Sequence, residues 1–217
     1  MPESPLQGLS AHGRVARRLL TGGICMACMV LAIIGVYINA AVRAGDHRLS
    51  LGHDLLPSYV AGTFVREHRP RAMYDLDEVH QEEARIIQSA NLVIDGHGGP
   101  WLNPPFFAWV FVPLSALPYR LASLVFLITN CLLLAGSIIL LCRQLPVRGW
   151  RIALVPLLMC TAMPFWQALC HQQNTFISLF LLSLTVTFWL EDQPFAAGCT
   201  AGLLFFKPQL AVWPLAS

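Results

Sequence analysis

One carboxylate of this chain is placed for chemistry at a membrane boundary. Asp54 lies in the stretch Gly52-His53-Asp54-Leu55-Leu56-Pro57-Ser58-Tyr59, which follows a long apolar run and opens an extended polar loop. The leucines and the proline after Asp54 predict apolar, partly dehydrated surroundings, which suit a carboxylate acting as general base on a hydroxyl group. The alternative is a solvated acid near a helix end, the usual role of an acid in a loop.

A second candidate is a group of four hydrogen-bonding residues between two apolar runs, His171-Gln172-Gln173-Asn174. Each side-chain amide both donates and accepts hydrogen bonds, which suits binding of sugar hydroxyls. We therefore take His171, Gln173 and Asn174 as candidate substrate contacts. The alternatives are a hydrated turn between two helices and an interfacial histidine with no role in catalysis.

Lys207 is a third candidate because it lies inside an apolar run, directly before Pro208. It is about 12 residues into that run, which corresponds to roughly 18 Å of helix. A lysine within a membrane is energetically costly and is by default a functional candidate, here for binding a lipid phosphate. The alternative, which the sequence leaves open, is that its side chain reaches to the nearer interface.

Three further patterns are weaker evidence for a functional site: two have metal-ligand spacing and one could line a groove. Asp75 and Asp77 have the spacing of a metal-binding acid pair, but acids at the start of an amphipathic helix over 75–89 explain them more simply. Cys25 and Cys28 have the spacing of a metal knuckle but lie inside an apolar run without a second pair. We therefore assign no metal ligands and no cofactor, and the sequence leaves metal dependence open. Asn103 to Phe107 is a stiff, aromatic segment that is a candidate lining of a lipid or sugar groove.

The elements that must position these residues are membrane helices. Hydrophobic residues make up 56% of the 217 residues and charged residues 12%, about half of the roughly one-quarter that is usual for soluble domains. Lysine is scarce and arginine forms no long run, so nucleic-acid binding has little support. The composition and the long apolar runs predict an all-α polytopic protein embedded in a lipid bilayer.

The apolar runs predict a short N-terminus followed by one membrane domain. Arg14, Arg17 and Arg18 precede the first run, so residues 1–18 are expected in the cytoplasm and residues 19–217 in the membrane domain. The first run is longer than the apolar core of a cleaved signal peptide, which favours an uncleaved anchor. The predicted spans cover residues 19–41, 121–141, 152–169, 175–190 and 195–217.

Residues 42–120 then form an outer loop. Residues 102–118 are apolar but short and contain several prolines, so we interpret them as a re-entrant or juxtamembrane segment rather than a span. This choice places the arginines of the 143–151 loop inside, as the positive-inside rule prefers. It also places residues 171–174 on the extracytoplasmic face together with Asp54.

In this order and spacing, these elements resemble glycosyltransferase family 87. An Asp-x4-Tyr element is present at Asp54 to Tyr59, and an Asn-Pro-Pro-Phe element at Asn103 to Phe107. A Gln-x-Asn element is present at Gln172 to Asn174, and a Lys-Pro element at Lys207 to Pro208. Each element is weak alone, but together they extend over nearly the whole chain.

The resemblance implies a GT-C-like helix bundle and a hexosyltransferase active on the extracytoplasmic face. The donor would be a sugar, by family default mannose, on a polyprenyl phosphate, and the acceptor a glycolipid or glycan hydroxyl. Asp54 would correspond to the general base, and Tyr59, His171, Gln173, Asn174 and Lys207 would contact substrate. Family members are longer, with further spans after the Lys-Pro element. The chain would therefore be an N-terminal portion, inactive alone if those spans close the lipid groove.

Two other classes of function stay open at this stage. A lysine beside a helix-breaking proline also fits the substrate path of a transporter component, although no internal repeat supports this. A non-enzymatic membrane scaffold is the second alternative, favoured if the chain lacks half of the site.

Overall fold

The protein is helical throughout the part that the computed structural model describes. That part comprises residues 52–92, 101–144 and 163–208, together with Ile24, Leu31, Gly35 and Leu210. No β-strand occurs among these residues, which confirms the all-α class. The α-helices are α1 Leu55–Arg66, α2 Leu76–Ser89, α3 Pro105–Ala108, α4 Val112–Ser115, α5 Tyr119–Gln144, α6 Met163–Cys170, α7 Thr175–Leu190 and α8 Pro194–Leu203. Short 3-10 helices cover Pro70–Tyr74, Trp109–Phe111 and Leu204–Phe206.

Helix α1 is the centre of the region that is predicted to form the outer loop, residues 42–120. Ten of its twelve residues are buried, including Leu55 and Leu56 with no exposed surface. It packs against the short helices between residues 105 and 115, and the approach is close at Gly62, where a Cβ atom would lie 2.7 Å from the Phe111 carbonyl oxygen. The apolar residues after Asp54 therefore form a buried core directly next to this acid.

Helix α2 is amphipathic, as its sequence predicts. Asp75 is its N-cap, and its carboxylate accepts hydrogen bonds from the backbone N–H groups of Asp77 and Glu78. Such capping satisfies helix N–H groups that otherwise lack a partner. Val79 and Ile86 lie on the buried face of the helix and belong to the hydrophobic core. The Asp75–Asp77 pair thus belongs to a helix start, as expected.

The segment 102–118 does not form a spanning helix. It breaks into α3, a 3-10 turn and α4, with no single helix longer than four residues. Proline at the second position of α4 and near the start of α3 interrupts the hydrogen-bond ladder of any longer helix. Arg66 donates to the Ser115 carbonyl oxygen and so joins this segment to α1.

One described helix, α5, is long and apolar enough to cross a membrane. Its 26 residues include the predicted span 121–141. Helix α7 has the limits predicted for the fourth span, and it packs between α5 and α8. Helices α6 and α7 are long and apolar enough to cross a membrane only if they are taken together as one span. Their axes bend by 118° at the break between them.

Several predicted elements lie outside the described residues. They are the N-terminus 1–18, nearly all of the first span 19–41, residues 152–162 of the third span, and the last span beyond Pro208 except Leu210. The predicted orientation of the chain in the membrane remains a prediction.

Candidate active site

Two backbone hydrogen bonds attach the start of α1 to the turn between α6 and α7. The N–H of Gly52 donates to the Cys170 carbonyl oxygen at 3.3 Å, and the N–H of Asp54 donates to the His171 carbonyl oxygen at 3.0 Å. These bonds hold two segments side by side that are far apart in the chain. The position of Asp54 therefore depends on the turn that carries the second predicted motif.

A buried amide fixes that turn from beneath. Gln172 is only 1% exposed; its Oε1 accepts from the Ser123 hydroxyl at 3.0 Å, and its Nε2 donates to the Ser123 carbonyl oxygen at 3.1 Å. The hydroxyl of Tyr119 donates to the Gly52 carbonyl oxygen at 2.7 Å. Gln172 and Tyr119 thus connect both segments to α5, because buried polar groups require such partners.

The Asp54 carboxylate faces the turn rather than capping its own helix. It accepts no hydrogen bond from the N–H groups of α1. Its Oδ2 accepts from Gln173 Nε2 at 2.7 Å, while its Oδ1 lies 3.3 Å from His53 Nδ1 and 3.8 Å from His171 Nδ1. About a third of the side chain stays exposed, so the carboxylate is oriented by neighbours yet open to an incoming group.

Asp54 lies at the edge of a cavity of about 250 Å³ that also contains three other predicted site residues. Gln173, Asn174 and Lys207 line the same cavity. The remaining lining residues are Pro57, Ser58, Trp101, Leu102, Asn103 and Thr175. Three elements distant in sequence thus contribute an acid, two amides and an amine to one space.

Lys207 reaches this cavity because its helix ends there. Backbone angles leave the helical region at Lys207, which follows the 3-10 turn Leu204–Phe206 and precedes Pro208. Its ammonium lies 5.9 Å from the centre of the Phe206 ring, and Phe206 stacks on Phe107 with ring centres 4.0 Å apart. No ion pair among the described residues includes Lys207, so its charge is available for an anion in the cavity.

Two predicted substrate residues, Tyr59 and His171, do not line this cavity. Tyr59 is 8% exposed, donates to the Leu117 carbonyl oxygen at 2.7 Å and lines a different cavity of about 540 Å³ with Tyr119, Arg85 and Arg120. Burial raises the pKa of the Tyr59 phenol, so this hydroxyl stays protonated and able to donate. His171 lies beside Asp54 but does not line the smaller cavity.

Sequence reasoning missed four residues at this site. His53 was adjacent to Asp54 but offered no spacing that distinguished it, and Ser58 and Thr175 looked like ordinary helix residues. Trp101 lines the cavity while stacked near Phe107, with ring centres 6.1 Å apart. Its only sequence signal was its place at the start of the aromatic segment whose Asn103 was already a candidate.

Comparison with known proteins supports the resemblance to glycosyltransferase family 87. A model of glycosyltransferase family 87 matches residues 101–216, slightly more than half of the chain. The searches of curated proteins and of solved structures found no match. The matched region contains Lys207 and the turn between α6 and α7, residues 171–174, which we call the amide turn, whereas Asp54 precedes it. The chain therefore belongs to glycosyltransferase family 87, a family of membrane glycosyltransferases.

Proposed function

We propose that this chain transfers a hexose, by family default mannose, from a polyprenyl-phosphate donor to a hydroxyl of a glycolipid or glycan acceptor. The reaction takes place on the extracytoplasmic face of the cell membrane. The observation that supports this most is the single cavity shared by Asp54, Gln173, Asn174 and Lys207. It brings together a base, sugar-binding amides and a cation for a phosphate. We take the helices around it as part of a GT-C-like polytopic bundle, because family 87 is a membrane family.

The cavity suits a sugar headgroup better than a lipid chain. Its volume of about 250 Å³ is below the ~300 Å³ at which pockets for drug-sized ligands begin. Its lining includes the side-chain amides of Gln173, Asn174 and Asn103, which can bind sugar hydroxyls. The polyprenyl chain would lie outside it, against the apolar helices.

The proposed reaction balances without a cofactor or nucleotide. The acceptor oxygen attacks the anomeric carbon, the bond from that carbon to the phosphate oxygen breaks, and the lipid phosphate leaves. Asp54 takes the acceptor proton, an effect worth about 10²- to 10⁴-fold in typical enzymes. The ammonium of Lys207 stabilises the negative charge on the departing phosphate, as cations do in phosphoryl sites. Gln173 holds the carboxylate in place through its 2.7 Å hydrogen bond.

The test is transfer from a labelled polyprenyl-phosphate mannose in membranes that contain the full chain. Asp54→Asn should lower the turnover at least 100-fold, because an amide of the same shape takes no proton. The matched control is Asp192→Asn. Asp192 is exposed beyond the far end of the 16-residue α7, and asparagine tolerates its φ of 57°.

Two outcomes would contradict the proposal. Unchanged turnover in Asp54→Asn would remove Asp54 as base. An equal loss in Asp192→Asn would show that the effect is not specific to the cavity. A transporter component, the rival from the sequence, would move labelled lipid or sugar across the membrane without forming a new glycosidic bond, so movement of the label into sealed vesicles without glycosylated product would favour that rival.

A further inference from the structure

Two histidines that do not line the cavity approach the same carboxylate oxygen of Asp54, which does line it. Nδ1 of His53 lies 3.3 Å from Asp54 Oδ1, and Nδ1 of His171 lies 3.8 Å from the same oxygen. One ligand atom from each of the three residues lies within 4.8 Å of the other two. The second distance is too long for a hydrogen bond, so the two imidazoles leave a gap at the carboxylate.

This gap has the dimensions of a metal site. Zinc binds histidine nitrogen and carboxylate oxygen at about 2.0–2.2 Å, which places tetrahedral ligands about 3.4 Å apart. The separations of 3.3 and 3.8 Å therefore match those of ligands around one ion. All three ligand atoms lie within 4.8 Å of one another, so rotation of the side chains can bring them to the separation of tetrahedral ligands.

The backbone around the three residues is held before any ion arrives. The hydrogen bonds from Gly52 to Cys170 and from Asp54 to His171 fix the two chain segments. Gln173 donates to the second carboxylate oxygen, and such an outer contact orients a metal-binding carboxylate. A site prepared in this way loses little conformational entropy on binding.

We propose that His53, Asp54 and His171 form a binding site for a divalent transition-metal ion of the zinc type. Two imidazoles favour zinc-like ions over Mg²⁺ and Ca²⁺, which prefer oxygen ligands. Each of the three side chains is between 34% and 41% exposed, so an ion can enter from solvent and keep at least one coordination position for water.

An ion at this site has a consequence that rests on the proposed function. It occupies Oδ1 of Asp54 while Gln173 occupies Oδ2, so the carboxylate has less capacity to accept a proton. Binding of zinc and proton removal by Asp54 therefore compete. Zinc is expected to inhibit the transfer rather than to assist it.

The experiment is titration of the full, purified chain with Co²⁺ and Zn²⁺ after treatment with a chelator. We expect one ion per chain, with a dissociation constant of about 1 μM or tighter. Bound Co²⁺ should absorb visible light more strongly than the hydrated ion, because a low coordination number strengthens this absorption. His171→Ala should weaken binding at least 100-fold, and His53→Ala should do the same independently. His68→Asn is the matched control, because His68 is exposed and asparagine tolerates its φ of 59°.

Several results would overturn the site. One is a lack of saturable binding below 100 μM, which corresponds to roughly 5.5 kcal/mol of binding free energy. Another is equal metal affinity in wild type and in both histidine variants. Thiolate charge-transfer absorption of Co²⁺ would assign the ion to cysteines instead. Binding is measured without catalysis, so it tests the site even if no transfer is detected. If transfer is detected, His53→Ala should need at least tenfold more zinc for the same fractional inhibition.

Discussion

The attachment of Gly52 to the amide turn yields the sharpest prediction, for the variant Gly52→Ala. Gly52 has a φ of +91°, which costs a residue with a side chain about 1–2 kcal/mol. A Cβ atom there would lie 2.9 Å from Gln172 Oε1 and 3.0 Å from the Tyr119 hydroxyl oxygen. Both groups are buried and hydrogen-bonded, and a displaced hydrogen bond costs about 1 kcal/mol.

The combined cost is about 2–4 kcal/mol, because at least one of these hydrogen bonds must break to admit the methyl group. For a chain of this size, that corresponds to a fall of about 5–15 °C in the unfolding midpoint. A thiol-reactive dye measures it, since Cys131 is a buried cysteine outside any disulfide and its thiol becomes accessible on unfolding. Activity should fall as well, because Asp54 is held by the same hydrogen-bonded segment.

The control for this prediction has the opposite sign. Gly198 lies in α8, and a Cβ atom there would meet nothing within 4 Å. Gly198→Ala should therefore stabilise the helix by up to ~1 kcal/mol through its higher helix propensity. If Gly52→Ala unfolded within 1 °C of wild type, the close contacts around Gly52 would be wrong, and with them the position of Asp54.

Two further predictions concern the cavity. Gln173→Leu removes the hydrogen bond to Asp54 Oδ2, and charge-assisted bonds of this kind are worth about 1.5–3 kcal/mol. Its kcat should fall about 10- to 100-fold with little change in unfolding midpoint, and an unaltered kcat would show that Asp54 needs no such support. Lys207→Gln should raise the KM for the polyprenyl-phosphate donor at least tenfold while Lys207→Arg retains most of the affinity. Equal KM values in all three proteins would exclude a phosphate contact at Lys207.

Much of the fold could be predicted because hydrophobic pattern alone specifies it. The apolar run of α5 is long enough to span, and α7 begins and ends at the residues expected from its flanking polar groups. Helix α2 follows from its capping acid and its spaced apolar residues. These are local properties, and sequence reports local properties well.

The make-up of the site could be predicted only in part. Asp54, Gln173, Asn174 and Lys207 stood out because polar groups next to apolar runs are costly and need a reason. Tyr59 was chosen by resemblance, but its hydroxyl turns to Leu117 beside a different cavity. Neither Trp101 nor His53 carried a pattern, because their roles depend on neighbours that are remote in the chain.

The sequence by itself determined that this protein is helical, membrane-associated and equipped with an acid, an amide turn and a lysine within an apolar run. Only the tertiary structure decided that these groups share one cavity, and that two histidines face the acid. The physical reason is that Gly52, Gln172 and Tyr119 join remote segments through buried hydrogen bonds. Such bonds form between groups whose proximity no local pattern encodes, yet they hold the segment that carries Asp54, the carboxylate on which the proposed chemistry depends.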